Sequence, residues 1–498
     1  MSELHIYNSL SHQKEKFVPI HEGLVGLYVC GPTVYSDVHL GNIRTFTSFD
    51  VIYRYLLHLG YKVRYVRNIT DVGHLVGDRD QGEDKIAERA KLEKLEPMEV
   101  VQKYTNGFHD MMRVFNNRPP SIEPRATGHI MEQVEMIQQI IDNGYGYVKN
   151  GSVYFDVKKF SKKNDCYGDL SGRKVEDLFA ETRELKGQKE KKNPADFAIW
   201  MKADERHLMR WKSKWSVGFP GWHLECSAMS TKYLGKQFDI HGGGNDLKFP
   251  HHENEVAQNV AACRCAPAKY WLHANMLLMN GRKMSKSDGN TIAAADLFAG
   301  TSKHVDKGYS PMVVRFFMLQ AHYRSTLDLS NDALAAAEKG YKRLMEANKY
   351  LQQTEVSLDQ GNVELESKIK GTIDQVYADM DDDFNTPRAL ARLFELVPIV
   401  NSHRDNKGNF RQISTNVWQS LKKEMSSVLF DILGLRDETT AGNNGSDRLD
   451  GVMQLVIDLR AQARANKDWT TADKIRDSLK EHQIVIKDGK EGTSWSLN

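Results

Sequence analysis

Two short runs carry residues suited to polyphosphate: His39-Leu40-Gly41-Asn42 and Lys283-Met284-Ser285-Lys286-Ser287. Attack on an α-phosphate expels pyrophosphate, and cations that move in with the leaving group stabilise its growing charge. Lys283 and Lys286 stand three apart in a loop with Gly281 and Gly289 at its ends, which gives them that freedom. His39 offers an imidazole to phosphate oxygens where a helical pattern begins, and Gly41 lets a nucleotide approach the backbone. The runs are far apart in the chain, so only a folded domain brings them together. Their pairing points to adenylate chemistry.

A second set has the character of a metal centre: Cys30, Cys226, His251 and Glu255. His251 and Glu255 are spaced i and i+4, so on a helix they share one face. Two thiolates, an imidazole and a carboxylate suit zinc. Cys30 ends the apolar run that leads to His39, which puts a metal held there beside the reactive end of the nucleotide. His252 can replace His251 in this set. Cys263 and Cys265 are rival thiols, but one intervening residue makes them bite awkwardly on a tetrahedral ion, and no second pair is near.

The elements that must position these residues follow from periodicity. Leu27-Tyr28-Val29-Cys30 reads as a strand closed by Gly31-Pro32, and Ile43, Phe46, Phe49, Ile52, Tyr53 and Leu56 recur at helical spacing. Strand, turn and helix in that order present backbone N–H groups and a positive dipole end to a polyphosphate. Another apolar run covers 62–70, and the alternation returns around 213–270, as a nucleotide-binding α/β sheet requires. Residues 126–211 interrupt it, with a strand at 152–157 and a basic run at 186–192. Beyond 330, apolar spacings of three and four predict helices at 331–353, 365–380, 386–402 and 415–433, an antiparallel bundle. Asp381 to Pro387 supply a turn and cap inside it. A polar linker at 437–449 precedes two helices around Asn466, then a strand and turn at 483–489. There Arg464, Lys467, Trp469, Asp473 and Arg476 combine cations for phosphates, a ring for stacking and a carboxylate able to accept from cytosine N4.

Composition bounds these readings. A chain of 498 residues, 40% hydrophobic and 27% charged, fits a globular protein of two to four domains. It has no long apolar stretch and no signal-peptide pattern at its start, which leads to a cytoplasmic expectation. Five cysteines without paired spacings fit a reducing compartment and metal use. A net charge of +2 leaves nucleic-acid contact to local basic patches.

The paired motifs at 39–42 and 283–287 resemble those of class I aminoacyl-tRNA synthetases. Together with Gly-Trp-His-Leu-Glu-Cys-Ser at 221–227 and the run from His241 to Glu255, they make nearly the whole chain resemble the cysteinyl-tRNA synthetase family. The resemblance implies a Rossmann-like α/β catalytic domain over 1–125 and 212–270, and an insertion (connective peptide) domain over 126–211 that meets the acceptor end of tRNA. It also implies a connecting domain with the lysine loop at 271–330, a helical bundle at 331–436 and an anticodon-binding unit at 451–498.

By the same resemblance, ATP, accompanied by Mg²⁺, meets His39, Gly41, Asn42, Lys283, Met284, Ser285, Lys286 and Ser287, with His39, Asn42, Lys283 and Lys286 catalytic. One zinc ion per chain, on Cys30, Cys226, His251 and Glu255, takes the thiol of L-cysteine, whose thiolate either adds as a fifth ligand or displaces Glu255. Trp222 walls the substrate side chain, His241 lies near the thiol, and Gly31, Thr70 and Asp246 hold the substrate backbone, with Asp246 on the ammonium. Arg464, Trp469 and Asp473 read the GCA anticodon. The implied partners are ATP, L-cysteine and tRNA(Cys), with no membrane, for a monomeric protein. Loops at 72–84 and 300–308 are longer than the family's shortest versions. Two rival functions stand beside this one. A cysteine ligase acting on an amino sugar shares the motifs but lacks the 451–498 unit, and a non-catalytic zinc-stabilised RNA-binding protein has no use for the 283–287 loop.

Overall fold

The computed structural model describes residues 3–73, 85–164, 166–174, 190–205, 207–284, 291–438, 453–481, 484–489 and 492–497. The chain forms two compact units, Met1–Arg436 and Asp437–Asn498. Among the described residues, no helix is long and apolar enough to cross a membrane.

At the centre of the first unit, β1 (Leu24–Val29), β2 (Lys62–Arg67), β3 (Phe238–Gly244) and β4 (Ala268–Ala274) form a parallel sheet in the order β4-β3-β1-β2. Every residue of β3 is buried, as a parallel sheet covered on both faces demands. The chain leaves β1 toward β2 on one side, whereas β3 leads to β4 on the other. Strand order therefore reverses between β1 and β3, and loops diverging there open a crevice at the carboxyl ends of the strands. Helix α1 (Leu40–His58) buries Ile43, Phe46, Phe49, Ile52 and Leu56 of the predicted periodic residues, while Tyr53 is half-buried. It lies directly on β3 only because Gly242 has no side chain: a Cβ there would meet Phe49 Cε1 at 2.1 Å. That glycine serves packing.

The interrupting region builds its own five-stranded antiparallel sheet. This sheet runs past residue 211, because Val217–Pro220 pairs with Phe197–Lys202. Most of the basic run, 186–189, lies outside the described residues. Lys192, at its end, packs on that sheet: its Nζ sits 4.1 Å from the Tyr147 ring centroid, and its backbone N–H donates to the Tyr147 hydroxyl at 2.8 Å.

Four helices follow as predicted, Asn331–Gln353, Val363–Asp381, Thr386–Arg404 and Thr415–Ser426, the last continued by a wider turn to Ile432. Asp383 and Phe384 make the intervening turn with left-handed φ of 64° and 55°, and Asn385 caps the next helix by accepting from the Arg388 N–H. The buried Asp383 carboxylate receives the Tyr7 N–H at 2.9 Å, the Tyr323 hydroxyl at 2.8 Å and Arg324 Nε at 2.6 Å. The 300–308 loop docks on the first bundle helix through the Lys307–Glu338 ion pair at 2.5 Å and a 3.0 Å bond from the Asp306 N–H to Asn331 Oδ1.

A buried charge network ties α1 to the bundle. Asp50 Oδ2 accepts from Arg54 Nε at 2.7 Å and Arg315 Nη2 at 2.6 Å, and Arg315 Nε reaches the Leu433 carbonyl at 2.8 Å. All three side chains are buried. In the second unit, a helix over 453–465 and Trp469–Glu481 precede a hairpin of Ile484–Gly489 with Gly492–Leu497; the second strand of that hairpin was not anticipated.

Removing one member of a buried ion cluster strands its partners. Asp50→Ala should therefore lower the stability of the first unit by about 3–5 kcal/mol in denaturant titration. A loss below about 1 kcal/mol, the value of an exposed pair, would show that the two guanidiniums reach water.

Candidate active site

The crevice at the switch point is a cleft of ≈ 370 Å³, and it gathers most of the predicted site residues. Cys30, Cys226 and His251 line one part, Gly31, Thr70, Trp222 and Asp246 another, and His39, Asn42 and Met284 a third. His241 and Glu255 lie behind its wall, fully buried.

Cys30 follows β1, and Cys226 sits in the first turn of α2 (Leu224–Leu234). His251 belongs to a turn before α3 (Glu253–Cys263), on which Glu255 stands. The Sγ atoms of Cys30 and Cys226 are 3.6 Å apart, Glu255 Oε1 is 3.6 Å from Cys30 Sγ, and His251 Nε2 is 3.3 Å from the same oxygen. One ligand atom from each of these four residues lies within 4.8 Å of the others. Cys30, His241, His252 and Glu255 make an overlapping set, with His252 Nε2 at 3.3 Å from Cys30 Sγ. Among the described residues, no such set includes Cys263 or Cys265.

Neighbours hold the outer atoms of these donors. His251 Nδ1 meets His223 Nδ1 at 3.0 Å, His241 Nε2 meets Glu255 Oε2 at 2.9 Å, and His252 Nδ1 meets His273 Nε2 at 2.9 Å. His273 Nδ1 in turn meets Ser9 Oγ at 2.8 Å. Such partners fix the ring orientation and tautomer of a metal-binding histidine. Burial pushes the Cys226 thiol up to about 12 and the Cys30 thiol well above its usual range, so with no cation present both stay protonated. Two thiols, an imidazole and a carboxylate, converging in a dry pocket, fit zinc.

Gly31 is pressed against the loop after β2, where a Cβ would stand 1.6 Å from the Asn68 carbonyl oxygen. Its N–H donates to Asn68 Oδ1 at 2.8 Å. Thr70 donates its hydroxyl to Glu225, and Asn68 Nδ2 lies 3.1 Å from Thr70 Oγ1. Asn68, Glu225, His223 and His273 were not singled out from the sequence. Glu225 immediately precedes the candidate ligand Cys226, and a carboxylate in that buried helical turn was the available signal.

At the phosphate end, His39 is the N-cap of α1. Its Nδ1 accepts from the Gly41 N–H at 3.1 Å and the Asn42 N–H at 3.4 Å, while Asn42 Oδ1 accepts from the His39 N–H at 3.4 Å. This reciprocal cap commits Nδ1 as acceptor, so the neutral ring carries its proton on Nε2. Arg282–Lys283 pairs with Leu277–Met279 as a short hairpin, and past the loop the Ala293 backbone bridges that of His39. The 39–42 run is thereby joined to the chain that follows the loop. Ser285, Lys286 and Ser287 lie outside the described residues, as does the side chain of Lys283.

In the second unit, Trp469 is 59% exposed, unusual for so large a ring. Trp469, Asp473 and Arg476 stand at i, i+4 and i+7 of one helix, and Arg476 Nη2 lies 3.3 Å from Asp473 Oδ1. Arg464 is exposed near the end of the preceding helix.

A methionyl-tRNA synthetase from Mycobacterium tuberculosis, solved with methionyl-adenylate, shares the fold with a TM-score of 0.61 at 12% identity, over 82% of this chain and 91% of that one. Residues 16–339 match the family model described as tRNA synthetases class I (C) catalytic domain. Fold and site thus define a class I aminoacyl-tRNA synthetase. Residues 375–436 match a DALR domain and 449–495 the cysteinyl-tRNA ligase anticodon binding domain. The cysteine–tRNA ligase of Phocaeicola vulgatus is 52% identical over 100% of this chain and 99% of its own length, and that of Porphyromonas gingivalis 51% over 99% of each. The chain belongs to the cysteine–tRNA ligase family.

Burial, then neighbouring imidazoles, holds His252 well below its usual pKa; burial, then Lys248, does the same to His273. Both are neutral when folded, whereas the unfolded chain protonates them near pH 6.5. Stability is therefore present above that pH and lost on acidification, at up to about 1.4 kcal/mol per pH unit for each group. The metal-free protein should melt at progressively lower temperature below about pH 6.5, and His273→Asn should flatten that dependence. Identical slopes for variant and parent would show that His273 takes up a proton without unfolding.

Proposed function

We propose that the chain joins L-cysteine to tRNA(Cys) in two steps. ATP and cysteine give cysteinyl-adenylate and pyrophosphate, and the cysteinyl group then passes to the 3′ end of the tRNA. The observation that carries this reading is the single cleft in which a thiol-rich donor set stands beside the capped phosphate-facing helix.

Cys30, Cys226 and His251 would present zinc to the cleft, with Glu255 behind them and its outer oxygen tied to His241. His251 is preferred to His252, which does not line the cleft. The ion would supply a bond to a thiolate that the hydroxyl of serine cannot match. An apolar pocket alone separates such small differences by only about 1–3 kcal/mol, so the donor set makes hydrolytic editing unnecessary.

The chain's own groups do the rest. Trp222, 4.7 Å from the His251 ring, walls the side-chain site. Asp246 takes the ammonium, and Gly31 and Thr70 hold the backbone of the amino acid. His39 donates from Nε2 to phosphate oxygens, with Gly41 and Asn42 beside it at the positive end of α1. Lys283 and Lys286 follow the departing pyrophosphate, with Met284, Ser285 and Ser287 lining the nucleotide, and Mg²⁺ accompanies ATP. No general base is needed in the first step, where alignment and charge stabilisation suffice. The insertion sheet meets the acceptor end of tRNA, and Arg464, Trp469 and Asp473 read the anticodon. A cytoplasmic setting fits the buried free thiols.

Cysteine-dependent ATP–pyrophosphate exchange tests the first step. Lys286→Ala should raise its barrier by roughly 2–4 kcal/mol and leave cysteine affinity nearly intact; an unchanged exchange rate would refute the role.

Trp469→Ala combined with Asp473→Ala should impair aminoacylation of tRNA and spare exchange, because exchange needs no anticodon. Equal loss in both assays would assign these side chains to folding.

A further inference from the structure

A metal that selects a thiol does not by itself measure where the thiol is attached. Cysteine and homocysteine carry the same ligand atom and differ by one methylene. Selection between them must come from the distance between the metal ligands and the groups that hold the substrate backbone. Three elements supply those groups: the end of β1 with Cys30 and Gly31, the loop after β2 with Asn68 and Thr70, and the first turn of α2 with Cys226.

One side chain connects them. Glu225, beside Cys226, accepts the Thr70 hydroxyl and lies 3.4 Å from Asn68 Nδ2. Asn68 Oδ1 accepts the Gly31 N–H at 2.8 Å and stands 3.7 Å from Cys226 Sγ. Glu225, Asn68 and Thr70 are no more than 2% exposed, so water does not compete for these bonds. Glu225 does not line the cleft and belongs to neither candidate metal set among the described residues. Its place in the first turn of an 11-residue helix favours a buried carboxylate through the helix dipole.

We infer that Glu225 is a positioning residue that fixes the spacing between the metal-binding thiols and the Gly31–Thr70 backbone clamp, and so makes the site select cysteine over its longer homologue homocysteine. The inference rests on the proposed reading of Gly31 and Thr70. Glu225 acts as a hydrogen-bond acceptor in this role. Glutamine retains the accepting oxygen, whereas aspartate retains the charge but withdraws it by one methylene.

The test uses the full chain and its Glu225→Gln, Glu225→Asp and Glu225→Ala variants. Each is assayed for exchange with L-cysteine and L-homocysteine, for calorimetric affinity for both without ATP, and for zinc content and melting temperature. In Glu225→Asp and Glu225→Ala, KM for cysteine should rise and the cysteine-to-homocysteine ratio should fall by about 10-fold or more, the scale on which one methylene is discriminated. Zinc content should hold, and Glu225→Gln should stay close to the parent in both measures. If Glu225→Ala does not fold, Glu225→Asp decides. An unchanged ratio in Glu225→Asp would overturn the inference, as would parallel loss in Glu225→Gln or loss of zinc from both Asp and Gln variants. Absence of cysteine-dependent exchange in the parent would instead refute the functional reading beneath it.

Discussion

Two thiols, several imidazoles and a carboxylate are taken out of water together at the carboxyl end of the sheet, and the catalytic unit is organised around that burial. Each group alone would be expensive to bury. Here they come from the end of β1, the start of α2, the turn before α3 and α3 itself, so their convergence fixes four elements against one another. Burial keeps the thiols protonated and His252 and His273 neutral. The two thiols thus become thiolates only against a cation. Binding a metal there releases protons and adds its affinity to the stability of the fold.

Backbone geometry places His39, Asn42 and Met284 in the same cleft as this cluster. The switch in strand order opens the crevice, Gly242 lets α1 lie against β3, and the His39 cap closes the first turn of α1 beside the cleft. The bridge between His39 and Ala293 returns the lysine loop to the same place. Midway along α1, Asp50 binds two guanidiniums, one of which holds the Leu433 carbonyl of the bundle. Buried, charge-assisted bonds therefore tie the bundle end to α1.

Much of this was legible in the sequence, for physical reasons. Helix periodicity in α1 and the bundle is local, and the structure places those helices within a few residues of the expected spans. The ligand types of Cys30, Cys226, His251 and Glu255 are scarce enough in an apolar context to stand out. What escaped notice depends on long-range pairing. The strand Val217–Pro220 joins the insertion sheet because of its partner at Phe197–Lys202, and nothing local at residue 211 records that. His251 and His252 are adjacent, so spacing could not assign them; His223 and His273, distant in sequence, distinguish their surroundings. Glu225 and Asn68 look like ordinary polar residues until the fold shows whose hydrogen bonds they take.

Recognition of two chemically unlike partners imposes opposite demands on the two units. A thiol is distinguished from a hydroxyl by the softness of its bonding, which is strongest where water is excluded and donors cannot move. The buried donor cluster of the first unit, at the carboxyl end of its sheet, has that character. An unpaired base is distinguished by stacking and by edge-on hydrogen bonds, which need a ring and a carboxylate held open to solvent until the partner arrives. Trp469 and Asp473, exposed on consecutive turns of one helix, have that character. Residues of similar chemical richness are buried in one unit and exposed in the other, as the proposed function requires: a small ligand would be enclosed by its site, whereas a folded RNA would be met at a surface.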